Sequence, residues 1–165
     1  MTEPAKRRGK GPGSKGDGKR RSARLAAVQA LYQIQIAGIA PDAVVLEFLQ
    51  HRVSEDIDGR VLGELDQALF AELVRESHAR IGELDDMLSA VVDEEWSVER
   101  LDKLLRVLLR AGLYELAYKY EVPARAIISE YVAIAHDFFF GKEPAMVNGM
   151  LDRLARSLRE EEFQA

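Results

Sequence analysis

The sequence predicts an all-α fold, a compact bundle of about seven helices preceded by a disordered basic arm. Three observations predict it. From residue 22 onward, apolar residues recur at steps of three and four, and no window alternates with period two. The punctuation is helical: Gly38 and Gly141 sit where runs stop, and Pro41, Pro123 and Pro144 sit where runs start. Of 165 residues, 47% are hydrophobic, enough for a sizeable core once a polar tail is set aside.

The elements follow in order. Residues 1–18 are rich in Gly, Lys and Arg and contain no large apolar side chain after Met1, so they cannot offset their ordering entropy and read as disordered. Ser22 then caps a first helix with Leu25, Val28, Leu31, Tyr32 and Ile36 as its stripe. Pro41 opens a second helix carrying Val45, Leu46 and Leu49. Residues 52–63 are polar, include Gly59 and read as a loop. Leu65, Leu69, Leu73, Ile81, Leu84, Leu88 and Val91 predict one long amphipathic helix over about 65–91, with Ser77 and Gly82 marking where it can bend. Ser97, with Glu99 in the first turn, caps the most apolar helix, which the pattern places at the centre. Gly112 inside that helix costs about 1 kcal/mol against Ala, so its presence predicts a close helix crossing. Pro123 opens a helix with Ile127, Tyr131, Ile134, Ala135 and Phe138 as its stripe. Pro144 starts the last one, with Val147, Leu151, Leu154 and Leu158.

Composition excludes several classes. There is no cysteine, hence no disulfide and no thiolate metal site, which fits a cytoplasmic setting. No apolar run approaches the roughly 20 residues that span a bilayer, and the basic N-terminus lacks the apolar region of a secretory signal. His51, His78 and His136 fall on separate predicted helices, and no phosphate loop, GxSxG or HExxH pattern occurs. Asp85-Asp86 and Asp93-Glu94-Glu95 read as solvated acidic groups rather than a metal site. The expectation is a protein that is not an enzyme and uses no cofactor. Glu115, inside the most apolar helix, is either buried against a basic side chain or backbone N–H, or turned to solvent.

Charge is the positive signal. Residues 1–21 carry eight lysines and arginines against Glu3 and Asp17, a net +6, within a chain of net charge −5. A basic arm on an acidic body suits two partners of opposite charge, one polyanion held by the arm alone, or a solubilising tail. Lys19, Arg20, Arg21 and Arg24 crowd the predicted start of the first helix, where free N–H groups and the dipole favour phosphate. Gln29 and Tyr32 follow on the same helix and suit base contacts, with a core position the alternative for Tyr32.

Three stretches, "RRSARLAAVQALYQ" (20–33), "LLRAGLYELAYKYEVPARAIISEYVAIAHDF" (108–138) and "VNGMLDRLA" (147–155), resemble the NusB family of bacterial transcription antitermination factors over most of residues 20–158. The resemblance implies two packed three-helix subdomains and an RNA-binding domain over residues 19–160. It implies a role without catalysis: pairing with a small-subunit ribosomal protein called NusE, binding boxA RNA, and assembling an antitermination complex on RNA polymerase at rRNA operons. Carried onto this chain, the RNA face comprises Lys19, Arg20, Arg21, Arg24, Gln29 and Tyr32, with Lys142 and Asn148 from "FGKEPAMVNG" (140–149). That loop departs from the usual pattern, since Ala145 and Met146 stand where a Lys-Phe pair is common. Ser22 stands where a further arginine is common. Relatives occur as monomers and as homodimers, so a homodimer is among the expected assemblies. Two other readings are an RNA-binding module of an rRNA methyltransferase and a helical adaptor that binds no RNA. With Arg21 and Arg24 both on the polar edge of the helix, reversing their charge should weaken RNA binding without unfolding the chain.

Overall fold

Alanines decide how the first helix packs. The computed structural model describes residues 13–55, 65–92 and 97–164, and in it helix α1 runs Gly13–Ala37. The buried face of α1 is Ala23, Ala26, Ala27, Val28, Ala30, Leu31 and Ile34. Small side chains let neighbours approach its backbone closely, and α3 (Gln67–Ala79) and α5 (Lys103–Tyr118) occupy that place. The stripe read from large side chains therefore needs correction. Ile36 is exposed, while Leu25 and Tyr32 are half-buried at the rim of the core.

The start of α1 is a second correction. The helix begins at Gly13, so Ser22 lies inside it and caps nothing, and residues 13–18 belong to the helix rather than to an arm. Tertiary contact overrides the local glycines: the Lys19 carbonyl accepts the Asp66 N–H at 3.1 Å, tying this part of α1 to the entry of α3. The remainder of the expected arm, residues 1–12, lies outside the described residues, as do residues 56–63 of the expected loop and the acidic group Asp93-Glu94-Glu95.

Gly38 ends α1 as read. It has φ +67°, the left-handed conformation that glycine adopts without penalty, and its N–H reaches the Ile34 carbonyl at 2.9 Å. Helix α2, Pro41–Glu55, starts on its proline and extends four residues into the span read as loop. It buries Val44 and Val45, exposes Leu46, and stacks Phe48 on Phe70 of α3 at 5.6 Å. The long third helix is two helices, α3 and α4 (Ile81–Ser89), broken at Arg80 between the two residues that marked a bend. Asp66 caps α3, accepting the Leu69 N–H at 3.0 Å. After a 3-10 turn at Val98–Arg100, Asp102 caps α5 by accepting the Leu104 and Leu105 N–H groups at 2.9 and 3.3 Å. Ser97, read as that cap, makes no capping bond.

Helix α5 is central, as its composition predicted. Leu105 and every residue from Val107 to Leu116 are buried. It touches α1 and α3 on one side and α4, α6 (Ala124–Phe138) and α7 (Glu143–Leu158) on the other. The result is two three-helix groups, α1–α3 and α5–α7, joined through α5 and bridged by α4. Gly112 marks the crossing: an added Cβ would lie 3.0 Å from Leu151 Cδ1 and 3.2 Å from Tyr131 Cγ. Among the described residues there is no strand.

Arg159 fastens the far end of α5. It is 1% exposed and follows α7, just before the short α8 (Glu160–Phe163). Its guanidinium donates to the carbonyls of Glu115 (3.0 Å), Leu116 (2.9 Å), Lys119 (2.9 Å) and Val122. Two of these carbonyls belong to the last turn of α5 and two to the turn that follows it, so one buried guanidinium ties the helix end to its exit. Glu162, beside it, accepts the Ala124 N–H that opens α6 at 3.2 Å.

Candidate nucleic-acid interface

The basic cluster on α1 is divided by the helix that carries it. Because α1 begins at Gly13, residues 19–24 lie within the helix, and the free N–H groups of a helix start are not what these side chains surround. What remains is a cationic helix face. Arg20 is exposed and Lys19 half-buried. Arg21 is exposed, its side chain at 66%, and makes a fork to Glu130 of α6 with both N···O distances 3.0 Å. Such an exposed pair contributes about 0–1 kcal/mol, so Glu130 can be exchanged for a phosphate at little cost.

Arg24, one turn further on and about 60° around the helix, turns into the core. It is 4% exposed, and its Nε and a terminal nitrogen reach the two oxygens of Glu115 at 2.8 and 2.9 Å. Tyr131 of α6 donates its hydroxyl to the same carboxylate at 2.6 Å. Burial alone would lower the Arg24 pKa, but the Glu115 carboxylate outweighs it and raises it. Burial, then the Glu115 charge, holds the Tyr131 hydroxyl well above its ordinary pKa. Arg24, read as an RNA contact on a polar edge, is instead a core residue that joins α1, α5 and α6. Glu115 is the buried carboxylate with a basic partner.

The other site residues fall into two groups, one on α1 and one at the start of α7. Gln29 and Tyr32 are half-buried on α1 and continue a stripe through Ser22 and Leu25 at three- and four-residue steps. Lys142 and Asn148 are exposed, Lys142 just ahead of α7 and Asn148 on its second turn. Arg20 borders a cleft of about 560 Å³ shared with Asp66, Glu72, Lys119, Glu121 and Pro123, so its surroundings are of mixed charge.

Sequence reading missed several ionic partners. Asp85, read as solvated, accepts two N–H groups of the buried Arg110 at 2.7 Å each, pinning α4 to α5. Glu130 and Arg159 carried no signal, because a charged residue at the edge of a stripe looks the same whether or not an opposite charge waits across the interface. The described residues contain no group of three metal-ligating side chains, and no described helix is long and apolar enough to cross a membrane.

The described residues form an all-helical domain whose first helix carries one exposed and one buried arginine a turn apart. Comparison with known proteins gives its family. The NusB family model matches residues 21–156. The transcription antitermination protein NusB of Maricaulis maris is 42% identical over 144 residues, covering 87% of this chain and 90% of that protein. That of Caulobacter vibrioides is 43% identical over 138 residues, covering 84% and 93%. A solved structure of T. maritima NusB superposes with a TM-score of 0.73 at 26% identity, covering 88% of this chain and 97% of that one. The chain belongs to the NusB family, whose curated members are named transcription antitermination proteins, regulatory factors rather than enzymes.

Proposed function

We propose that this chain binds boxA RNA together with a NusE-type ribosomal protein and helps assemble an antitermination complex on RNA polymerase at rRNA operons. The observation that carries the proposal is the outward face of α1. Arg20 and Arg21 are exposed there, and Arg21 is held extended by an exposed, exchangeable pair with Glu130. Cations at that face set register on phosphates, while Gln29 and Tyr32 further along the stripe meet bases. Few phosphates are within reach of one helix face, so binding by this chain alone is weak and salt-sensitive. Log K falls by about 0.7 per phosphate per decade of salt. The ribosomal protein then adds surface. A basic partner finds complementary carboxylates at Asp66, Glu72 and Glu121, which surround the cleft beside Arg20.

Fluorescence anisotropy with labelled boxA RNA, with and without the ribosomal protein, tests this reading. The double reversal Arg20→Glu plus Arg21→Glu should weaken RNA binding at least tenfold and flatten the salt dependence, with circular dichroism unchanged. Wild-type protein that ignores boxA RNA in both conditions while still binding the ribosomal protein would establish the adaptor reading instead. Light scattering over a concentration series, with and without RNA, determines whether a homodimer competes with the complex.

A further inference from the structure

We infer that a small cavity where α1, α3, α4 and α5 meet binds one structural water molecule, held by Ser77, Gln35 and Arg110, and that this water is part of the joint between the two three-helix groups. Ser77 is the first observation. It is 1% exposed, and its hydroxyl has no hydrogen-bond partner among the described residues. A buried hydroxyl left unpaired is costly, and a serine inside a helix can usually turn its oxygen to the carbonyl four residues back. Ser77 of α3 makes no such bond to the Leu73 carbonyl. It lines the cavity instead, together with Gln35 of α1, Ile81 of α4 and Arg110 of α5.

Arg110, also buried, is the second observation. Its Nε and one terminal nitrogen reach Asp85 at 2.7 Å each. Its other terminal nitrogen reaches Gln35 Oε1 only at 3.4 Å, beyond the usual N–H···O range. One cavity thus gathers an unpaired hydroxyl, a guanidinium donor and an amide acceptor, the last two joined by a stretched bond. The cavity holds about 10 Å³, close to the roughly 10–15 Å³ that one water molecule needs and far too little for an organic ligand. Its chemistry selects the occupant as well. The guanidinium calls for an acceptor and repels a cation, while the Gln35 oxygen calls for a donor and disfavours an anion. Water satisfies both and has a bond left for Ser77, which gives the three partners typical of a buried water.

Water–protein NOE spectroscopy on the full-length chain reads the site directly. Wild-type protein should show cross-peaks from a long-lived water to the Ser77 β-protons and to the Arg110 N–H groups. Ser77→Val, whose methyl groups take up the cavity, should lose them. Thermal unfolding supplies an independent sign and covers the case in which Ser77→Val does not fold. Alanine is the better helix former and removes the unpaired hydroxyl, so without a bridging water Ser77→Ala leaves the melting temperature unchanged or raises it. With the water in place, the same variant should melt about 2 °C lower. Gln35→Leu should also melt lower, and the double variant should lose less than the two single shifts added, the coupling expected of a shared water. Absence of a long-lived water at Ser77 in wild-type protein, or its persistence in Ser77→Val, overturns the inference. An unchanged or raised melting temperature in Ser77→Ala overturns it equally and assigns the hydroxyl to the Leu73 carbonyl. None of these measurements involves RNA, so the inference stands or falls separately from the proposed function.

Discussion

Two positions one turn apart on α1 carry the same chemical group, one at the rim of the core and one within it, and use it in opposite ways. At the rim, Arg21 with its side chain 66% exposed meets a half-buried Glu130, where water still reaches the guanidinium and much of the attraction is offset by solvation. On the inner face, Arg24 meets Glu115 among apolar side chains, with Tyr131 completing the carboxylate's bonding. The guanidinium alone does not set the role. What sets it is how much water is left to compete, and a turn of about 60° around the helix is enough to take the side chain from the rim into the core. A binding residue must be able to abandon its internal partner, and Arg21 can do so at a cost that Arg24 cannot meet.

Removing one member of the inner pair gives the largest expected effect. Arg24→Ala or Glu115→Ala leaves a buried charge without its partner and should lower unfolding stability by about 3–5 kcal/mol in a urea titration. A change below about 1 kcal/mol would show that the two faces are equivalent and break the comparison. Tyr131→Phe keeps the ring and removes one hydrogen bond to a charged acceptor, so about 1.5–3 kcal/mol should be lost at neutral pH.

The same variant gives a pH test. The folded-state pKa of Tyr131 is raised above the unfolded value of about 10. Its contribution is complete below about pH 10 and declines as pH rises toward the folded value, because the unfolded chain releases the proton first. Wild-type stability should therefore fall more steeply above about pH 10 than that of Tyr131→Phe. Tyr114, raised mainly by burial and then by its bond to Glu72, keeps part of the slope in both proteins. The smallest stability effect belongs to Arg21→Ala, below about 1 kcal/mol. Its expected consequence is weaker RNA binding in the anisotropy assay.

How much of this was legible in the sequence varies with the kind of interaction. Leu, Ile and Val at helical spacing located α5, α6 and α7, and Gly112 announced the crossing later found against Leu151 and Tyr131. Glu115 advertised its burial because its neighbours in the chain are apolar. Arg24 was misplaced because the face it shares is built of alanines, which a search for large apolar residues passes over. Counting Ala23, Ala26, Ala27 and Ala30 as buried would have turned Arg24 inward. The caps were misjudged for a local reason. Ser22 and Ser97 have suitable side chains, but Asp66 and Asp102 stand where the backbone actually enters a helix.

The bonds from Arg159 have an implication for how the chain is made. The carbonyl of Lys119 leaves the ribosome 40 residues ahead of the guanidinium that binds it. At about 5–20 residues per second, that is a wait of roughly 2–8 s during translation. Throughout the wait, the end of α5 lacks its fastening, and the carboxylate that anchors the first helix sits on an unfinished support. A nascent chain that stalls before residue 159 therefore keeps the end of α5 unfastened, about 40 residues upstream of the missing guanidinium.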